Sequence, residues 1–217
     1  EGGYTNIKLY FMMGLPTETD EDVAGIIRLA QKVVDMFYRL PDRPKGRGVS
    51  VTVSVACFVP KPFTPFEFEP QDTREELRRK QRILLDTVKS KKITVKYHDS
   101  PTSFLEAVLA RGDRRLSRAI LEAVDRGQRL DGWDEFFRFD TWMEAFAAAG
   151  IDPDFYAVRR RPYTELLPWD HIDCGVSRAF LVRESEKARA GVTTPDCRTQ
   201  CAGCGANRLG GTRSCCP

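Results

Sequence analysis

The sequence predicts an α/β fold with parallel strands, followed by a helical extension and a cysteine-rich tail. Apolar stretches rich in β-branched and aromatic residues occur at 5–13, 49–59 and 93–98, which is typical of strands buried on both faces of a parallel sheet. Amphipathic stretches with helical periodicity separate them. Five of the seven cysteines lie among the last 21 residues, outside either pattern.

Local signals predict two helices between these strands. Thr17, Thr19 and Asp20 are candidate N-caps of a helix over 20–39, since their side chains can accept backbone N–H groups. Thr73 and Glu76 predict a capping box for a helix that ends near residue 90. The apolar residues of the first helix that recur at helical spacing are Val23, Ile26, Ile27, Ala30, Val34 and Phe37. Those of the second are Leu77, Leu84, Leu85 and Val88.

Four further helices are expected after residue 99. Ser100 begins the first, which ends at Gly112, and Asp113 caps the second. Thr141 with Glu144 predicts a capping box for the third, and Ser177 caps the fourth. The apolar positions expected on the buried side of the second are Leu116, Ile120, Leu121 and Val124. We therefore divide the chain into an α/β part at 1–99, a helical extension at 100–192 and a tail at 193–217.

Composition narrows the class of protein. The 34 basic and 31 acidic residues nearly balance, so overall charge gives no reason to expect nucleic-acid binding. The basic run at 74–82 is interpreted as the solvated face of a helix, and a second run lies at 159–161. No apolar run approaches the roughly 20 residues that cross a bilayer, so no membrane partner is expected. Clustered cysteines favour metal-bound thiolates in a reducing cytoplasm over a disulfide framework.

The first strand ends in GLPTET (14–19), which places backbone N–H groups and a helix N-terminus at the carboxyl end of a parallel strand. Ligands of α/β folds bind at this end. Glu18 argues against a phosphate, although its carboxylate can accept a hydrogen bond from a ribose or an amine. A tight turn with a helix cap is the alternative interpretation.

Five segments resemble one family. KLYFMMGLPTETDEDV (8–23) and CFVPKPFTPF (57–66) look like late barrel strands of radical S-adenosylmethionine enzymes with a cobalamin-binding domain. The later segments resemble the carboxy-terminal region of one such family of unassigned substrate: SFLEAVLARGDRRLSRAILEA (103–123), DGWDEFF (131–137) and LPWDHIDCGVSRAFLVRESEKA (167–188). The resemblance thus covers nearly the whole chain.

This resemblance implies the last strands of a partial (βα) barrel of the radical S-adenosylmethionine type. It also implies a 4Fe-4S cluster that reduces S-adenosylmethionine to a 5′-deoxyadenosyl radical, and a cobalamin cofactor. Because EGGYTNIKLYFMMG (1–14) has no initiating Met or signal pattern, we interpret the chain as a fragment. The cluster loop and the cobalamin domain would then belong to a missing amino-terminal half, the expected partner, and the fragment alone would be inactive. The residues expected to bind S-adenosylmethionine are Gly14, Pro16, Glu18, Val59 and Pro60.

The tail contains a Cys-x3-Cys-x2-Cys motif formed by Cys197, Cys201 and Cys204. Too few residues follow it to enclose a cofactor, so we do not assign it to the core cluster. We expect an auxiliary iron-sulfur cluster or a structural zinc, with Cys215 or Cys216 as fourth ligand, because both metals accept four thiolates. Thiols in a disordered tail are the alternative.

Other interpretations remain open at this stage. A non-catalytic zinc-stabilised module could bind RNA or a protein partner through its basic helix at 74–82 and its tail. The arginines that favour this alternative are those at 159–161 and Arg198, Arg208 and Arg213. The extension could instead be a lid with a core formed by Trp133, Trp142 and Trp169. His98 and His171 are the two histidines, each a candidate proton donor or a structural residue. Cys57 and Cys174 are expected to be small buried side chains.

Overall fold

The computed structural model describes residues 3–43 and 46–207. The chain forms two compact units. The first comprises Glu1–Phe58 and Asp72–Phe104, and the second comprises Val59–Gln71 and Leu105–Pro217. Residues 59–71 therefore belong with the helical part of the chain although they directly follow the second strand.

The first unit contains a parallel sheet of three strands in the order β1-β2-β3. The strands are β1 (Asn6–Met13), β2 (Ser50–Cys57) and β3 (Ile93–Tyr97). Asn6 pairs with Ser50, and Val51 pairs with Ile93. Consecutive parallel strands need crossover helices, and these are α1 (Asp20–Arg39) and α2 (Arg74–Thr87). The predicted α/β class with parallel pairing is confirmed.

The buried face of α1 is the predicted one. Its buried residues are Val23, Ile26, Ile27, Ala30, Val34 and Phe37. Of the three candidate caps, Thr19 is the N-cap, and its hydroxyl accepts the Asp22 N–H while the Asp22 carboxylate accepts the Thr19 N–H. This reciprocal arrangement fixes the start of the helix. Helical periodicity was sufficient here because one face packs on the sheet.

The buried face of α2 differs from the predicted one. Thr73 caps the helix as expected, since its hydroxyl accepts the Glu76 N–H. Leu77 and Leu84 are buried, but Leu85 is 46% exposed. Two polar residues of the run interpreted as solvated, Lys80 and Gln81, are buried instead. The run is therefore not a uniformly solvated face.

The helices that follow are α3 (Ser100–Arg111), α4 (Leu116–Asp125), α5 (Phe139–Ala148), α6 (Pro153–Ala157) and α7 (Arg178–Arg189). Two predicted caps are wrong. Asp113 does not cap α4, because its carboxylate accepts the Arg115 N–H before the helix begins. Thr141 lies inside α5, whose N-cap Arg138 has no side-chain cap hydrogen bond. Ser177 caps α7 as predicted.

Sequence patterning also missed two features of the second unit. The short helix α6 was not predicted, although Asp152 caps it and Pro153 begins it, which is a standard start signal. Helix α4 buries its alanines, Ala119 and Ala123, while Ile120 and Leu121 are 42% and 63% exposed. A single bulky residue, Leu116, completes the buried side.

A core cluster of the second unit consists of Phe68, Leu167, Trp169 and Leu181. Of the other two tryptophans, Trp142 packs against Phe146 at 5.8 Å between ring centroids, and Trp133 is 57% exposed. The expectation of a core formed by all three tryptophans is therefore wrong. Among the helices of the described residues, none combines the length and apolarity needed to cross a bilayer.

Candidate functional site

The turn that follows β1 has a backbone that requires glycine at its first position. Gly14 has φ +84°, and a Cβ added there would lie 3.2 Å from Asp72 Oδ2 and 3.4 Å from Leu77. The Glu18 N–H donates to the Leu15 carbonyl at 3.1 Å, which closes the turn before α1. The predicted GLPTET site is therefore a tightly built corner at the carboxyl end of β1.

The Glu18 carboxylate is held inside this corner. Its Oε2 accepts the Gly14 N–H at 2.8 Å and lies 2.9 Å from Lys80 Nζ, and its side chain is 7% exposed. Glu18 was expected to accept a hydrogen bond from a ribose or an amine, and here the amine is the Lys80 side chain of the same protein. A carboxylate with these partners shapes the turn.

Lys80 links the turn to the start of the second helix. Its Nζ lies 2.8 Å from Asp72 Oδ2 as well as 2.9 Å from Glu18, and its side chain is 6% exposed. Burial alone would lower the pKa of Lys80, but the hydrogen bonds with Asp72 and Glu18 outweigh it and the pKa is raised. Lys80 therefore stays charged and balances two carboxylates in a site largely closed to water.

The rim of the turn remains accessible. Leu15 is 37% exposed, Thr17 is exposed with φ 69°, and Pro16 is half-buried. A positive φ in a non-glycine residue is uncommon outside turns and functional sites. These three residues could contact a ligand at the carboxyl edge of the sheet, while Gly14 and Glu18 form its floor.

The other two residues expected to bind S-adenosylmethionine, Val59 and Pro60, are buried and belong to the second unit. The last residue of β2, Cys57, is buried as predicted, and its Sγ donates to the His98 carbonyl at 3.6 Å. The same carbonyl accepts Gln81 Nε2 at 2.9 Å. His98 itself is exposed. These two hydrogen bonds are therefore made by its backbone carbonyl and not by its imidazole ring.

The second unit has a cavity of about 290 Å³ that includes His171. Asp170, Asp173 and Trp169 also line it, and Glu67 lies 2.7 Å from Trp169 Nε1. Burial raises the pKa of the Glu67 carboxyl, even though the Phe63 and Trp169 N–H groups donate to it. His171 is thus an exposed histidine beside acidic residues.

The cysteine loop of the tail is anchored to the start of α7. The Ser177 N–H donates to the Cys204 carbonyl at 2.8 Å, and the Ala206 N–H donates to Cys204 Sγ at 3.4 Å. Gly205 has φ +96°, and a Cβ there would lie 3.0 Å from the Gly175 carbonyl oxygen. The loop conformation around Cys204 therefore depends on glycine.

Cys204 is half-buried, whereas Cys197 and Cys201 are exposed. Within residues 3–43 and 46–207, no three His, Cys, Asp or Glu side chains are grouped to hold a metal ion. Cys215 and Cys216, as well as Arg208 and Arg213, lie outside the described residues. The thiols still suit iron or zinc chemically, and the N–H donated to Cys204 is the type of contact that supports a metal-bound thiolate.

Lys80 and Asp72 are the site residues that sequence reasoning missed. Both are common surface residue types, and Lys80 lies in a run of basic residues. Its position three residues after the buried Leu77 and four before the buried Leu84 was the available signal. This spacing places Lys80 on the apolar side of the helix, where a charged residue needs partners.

Comparisons with known proteins identify one relative. The chain is 36% identical over 138 residues to "Uncharacterized protein MJ0966" of Methanocaldococcus jannaschii. The match covers 59% of this chain and 28% of that protein. No protein-family model matches the chain, and no solved structure matches it significantly.

Proposed function

We propose that the chain is the carboxy-terminal part of a cobalamin-associated radical S-adenosylmethionine enzyme with an unassigned substrate. The observation that carries the proposal is the corner after β1, where Gly14, Glu18 and Lys80 hold a turn at the carboxyl end of a parallel strand and leave Leu15 and Thr17 exposed. Three consecutive parallel strands with crossover helices suit an arc of a (βα) barrel, and barrel enzymes bind substrates at that end.

The residues of the chain have separate roles in this proposal. The exposed rim at Leu15, Pro16 and Thr17 contacts the adenosyl group of S-adenosylmethionine. The buried ion cluster below keeps the Gly14 N–H occupied and the turn rigid, which favours a preorganised binding edge. A bound 4Fe-4S cluster, with ligands outside this sequence, would supply the electron for reductive cleavage of the cofactor.

The tail cysteines serve a second metal in the same proposal. Cys197, Cys201 and Cys204 bind an auxiliary iron-sulfur cluster or a zinc ion, with Cys215 or Cys216 completing the set. The support is the anchored backbone at Cys204 and the N–H group that Ala206 donates to its sulfur. The ligand set accepts either metal.

The direct test is turnover by the intact protein that contains this chain. The protein is purified and reconstituted without oxygen, mixed with S-adenosylmethionine and a low-potential reductant, and assayed for 5′-deoxyadenosine by liquid chromatography and mass spectrometry. Formation of 5′-deoxyadenosine above the protein-free blank supports the proposal. No product from protein with a complete iron and sulfide content contradicts it.

A matched pair of leucine variants tests the assigned edge. Leu15→Asp adds a charge at the rim. Leu40→Asp adds the same charge just after α1, on the way to the amino end of β2. Both leucines are exposed, at 37% and 54%, so neither change should unfold the protein. We expect Leu15→Asp to weaken S-adenosylmethionine binding at least about tenfold, equivalent to one buried contact. Equal affinities in the two variants would exclude this edge as the cofactor site.

A further inference from the structure

Two arginines of the second unit are buried. Arg111, at the end of α3, is 0% exposed, and Arg161 is 2% exposed. Arg111 donates from Nη1 to the Ala157 carbonyl at 2.7 Å and from Nη2 to the Arg159 carbonyl at 3.0 Å. Arg161 Nη2 donates to the Arg111 carbonyl, and its guanidinium lies 5.2 Å from the Trp169 ring centre. These contacts fix both guanidinium groups.

The hydrogen bonds leave three donor nitrogens without partners among the described residues. They are Nε of Arg111 and both Nε and Nη1 of Arg161. Buried donors are rarely left unsatisfied, because each costs about 1–3 kcal/mol. Burial, together with the neighbouring charges of Arg161 and Arg159, lowers the pKa of Arg111 to about 9. Burial also lowers the pKa of Arg161, so the protein interior disfavours both positive charges.

The nearby carboxylates are engaged by other arginines. Glu165 pairs with Arg159 through two contacts of 2.7 Å. Glu69 lies 2.8 Å from Arg189 Nη1 and 3.5 Å from Arg160 Nε. Within the described part of the chain, no ion pair joins a carboxylate to Arg111 or Arg161. Neither buried guanidinium is thus in direct contact with a carboxylate of the described chain, and Glu165 acts on both only at longer range.

A cavity adjoins this cluster. It has a volume of about 280 Å³ and is lined by Arg160, Arg161, Pro162 and Tyr163. The volume is slightly below the roughly 300 Å³ at which pockets for drug-sized ligands begin, so it suits a small anion. The Arg160 side chain is 47% exposed, and its guanidinium lies 3.5 Å from Glu69 and 5.7 Å from the Tyr163 ring centre. Because both contacts are long, Arg160 can turn toward a ligand in the cavity.

We propose that Arg160 and Arg161 bind a phosphate monoester or inorganic phosphate in this cavity. The planar guanidinium matches phosphate oxygens with paired hydrogen bonds. Charge favours a monoester, which carries about −1.5 to −2 at pH 7, because two guanidinium groups need compensation. A carboxylate or a phosphodiester supplies only one negative charge. This site is independent of the radical chemistry proposed above.

Binding of inorganic phosphate to the full chain tests the proposal. Isothermal titration gives the dissociation constant, and the thermal midpoint is measured with phosphate against chloride at matched ionic strength. Arg160→Gln removes the exposed arginine of the cavity, and Arg118→Gln removes an exposed arginine of α4 as the control. We expect binding by wild type and Arg118→Gln, and at least about tenfold weaker binding by Arg160→Gln.

Several results would overturn the site. They are the absence of phosphate binding by the wild type, an equal loss in Arg118→Gln, and unchanged binding in Arg160→Gln. Arg161→Lys keeps the charge without the planar fork and should also weaken binding, and the exposed Arg160 keeps the test valid if Arg161→Lys does not fold.

Four probes identify the group that is recognised. Inorganic phosphate and adenosine monophosphate with similar affinities indicate recognition of the phosphate alone, and tighter binding of the monophosphate indicates a nucleotide. Adenosine binding as tightly as its monophosphate contradicts the proposal. A dinucleoside monophosphate, which carries only a phosphodiester, should bind at least about tenfold more weakly than adenosine monophosphate. If the dinucleoside monophosphate binds equally or more tightly, the site recognises single-stranded nucleic acid and the proposed phosphate monoester is wrong.

Discussion

Replacing Lys80 with methionine tests the buried ion cluster that holds the turn after β1. Methionine fills a similar volume but removes the charge that lies 2.9 Å from Glu18 and 2.8 Å from Asp72. Two carboxylates then remain together, with side chains that are 7% and 27% exposed. Removing one partner of a buried ion pair typically costs about 3–5 kcal/mol, and we expect about 3 kcal/mol because Asp72 is partly solvated.

This loss of folding stability can be measured by thermal and urea unfolding. For a chain of this size each kcal/mol lowers the midpoint by roughly 2–4 °C, so Lys80→Met should melt roughly 6–12 °C below the wild type. Lys91→Met is the control, since Lys91 is an exposed lysine of the same unit. The control should change stability by less than about 0.5 kcal/mol.

A second change separates charge from packing. Without Lys80, the Glu18 and Asp72 carboxylates lie close together with no positive charge between them. Removing one of these two charges should therefore relieve part of the destabilisation. Glu18→Gln in the Lys80→Met background should recover part of the loss at neutral pH. A Lys80→Met midpoint within about 2 °C of the control, or no recovery in the Glu18→Gln double variant, would refute the reasoning.

Three more predictions follow from single residues. The raised pKa of Glu67 means that ionisation is penalised in the folded state, so its contribution to stability falls as pH rises from below 4.5 through the raised pKa. Glu67→Gln should remove this component, and the difference in melting midpoint between wild type and variant across pH 4–8 measures it; a constant difference contradicts it. Cys204→Ser should release the tail metal while Cys174→Ser retains it, measured as iron, zinc and acid-labile sulfide, and identical contents would exclude the tail site. Gly14→Ala should cost about 1–3 kcal/mol in urea unfolding because of its φ of +84° and the contact at 3.2 Å, whereas Gly25→Ala inside α1 should gain about 0.5–1 kcal/mol; a stabilised Gly14→Ala would contradict the strain.

Sequence reasoning succeeded where one element meets one apolar surface. All six buried residues of α1 follow from periodicity alone, because the helix packs on the sheet with a single face of its own. Strand positions were predicted within two residues, since β-branched runs ended by Gly14 and Pro60 have few alternatives. Caps such as Thr19 and Ser177 are also local, requiring only a side chain within three residues.

Sequence reasoning failed where partners come from distant parts of the chain. Lys80 was assigned to solvent because nothing near it in the sequence indicates Glu18, which lies 62 positions earlier in the printed sequence. Leu121 was assigned to the core, but α4 turns its small alanines inward and leaves that leucine exposed. Thr141 fitted a capping pattern, yet α5 begins two residues before it.

By itself, the sequence determined the parallel α/β class, the corner at Gly14 and the clustering of thiols in the tail. These features depend on side-chain periodicity, on glycine's access to positive φ and on residue spacing, all of which are local properties. Only the tertiary structure decided that Glu18 is held by Lys80 and that Arg111 and Arg161 are buried without a carboxylate partner in the described chain. Burial and charge compensation depend on which distant segments pack together, and no local pattern specifies that packing.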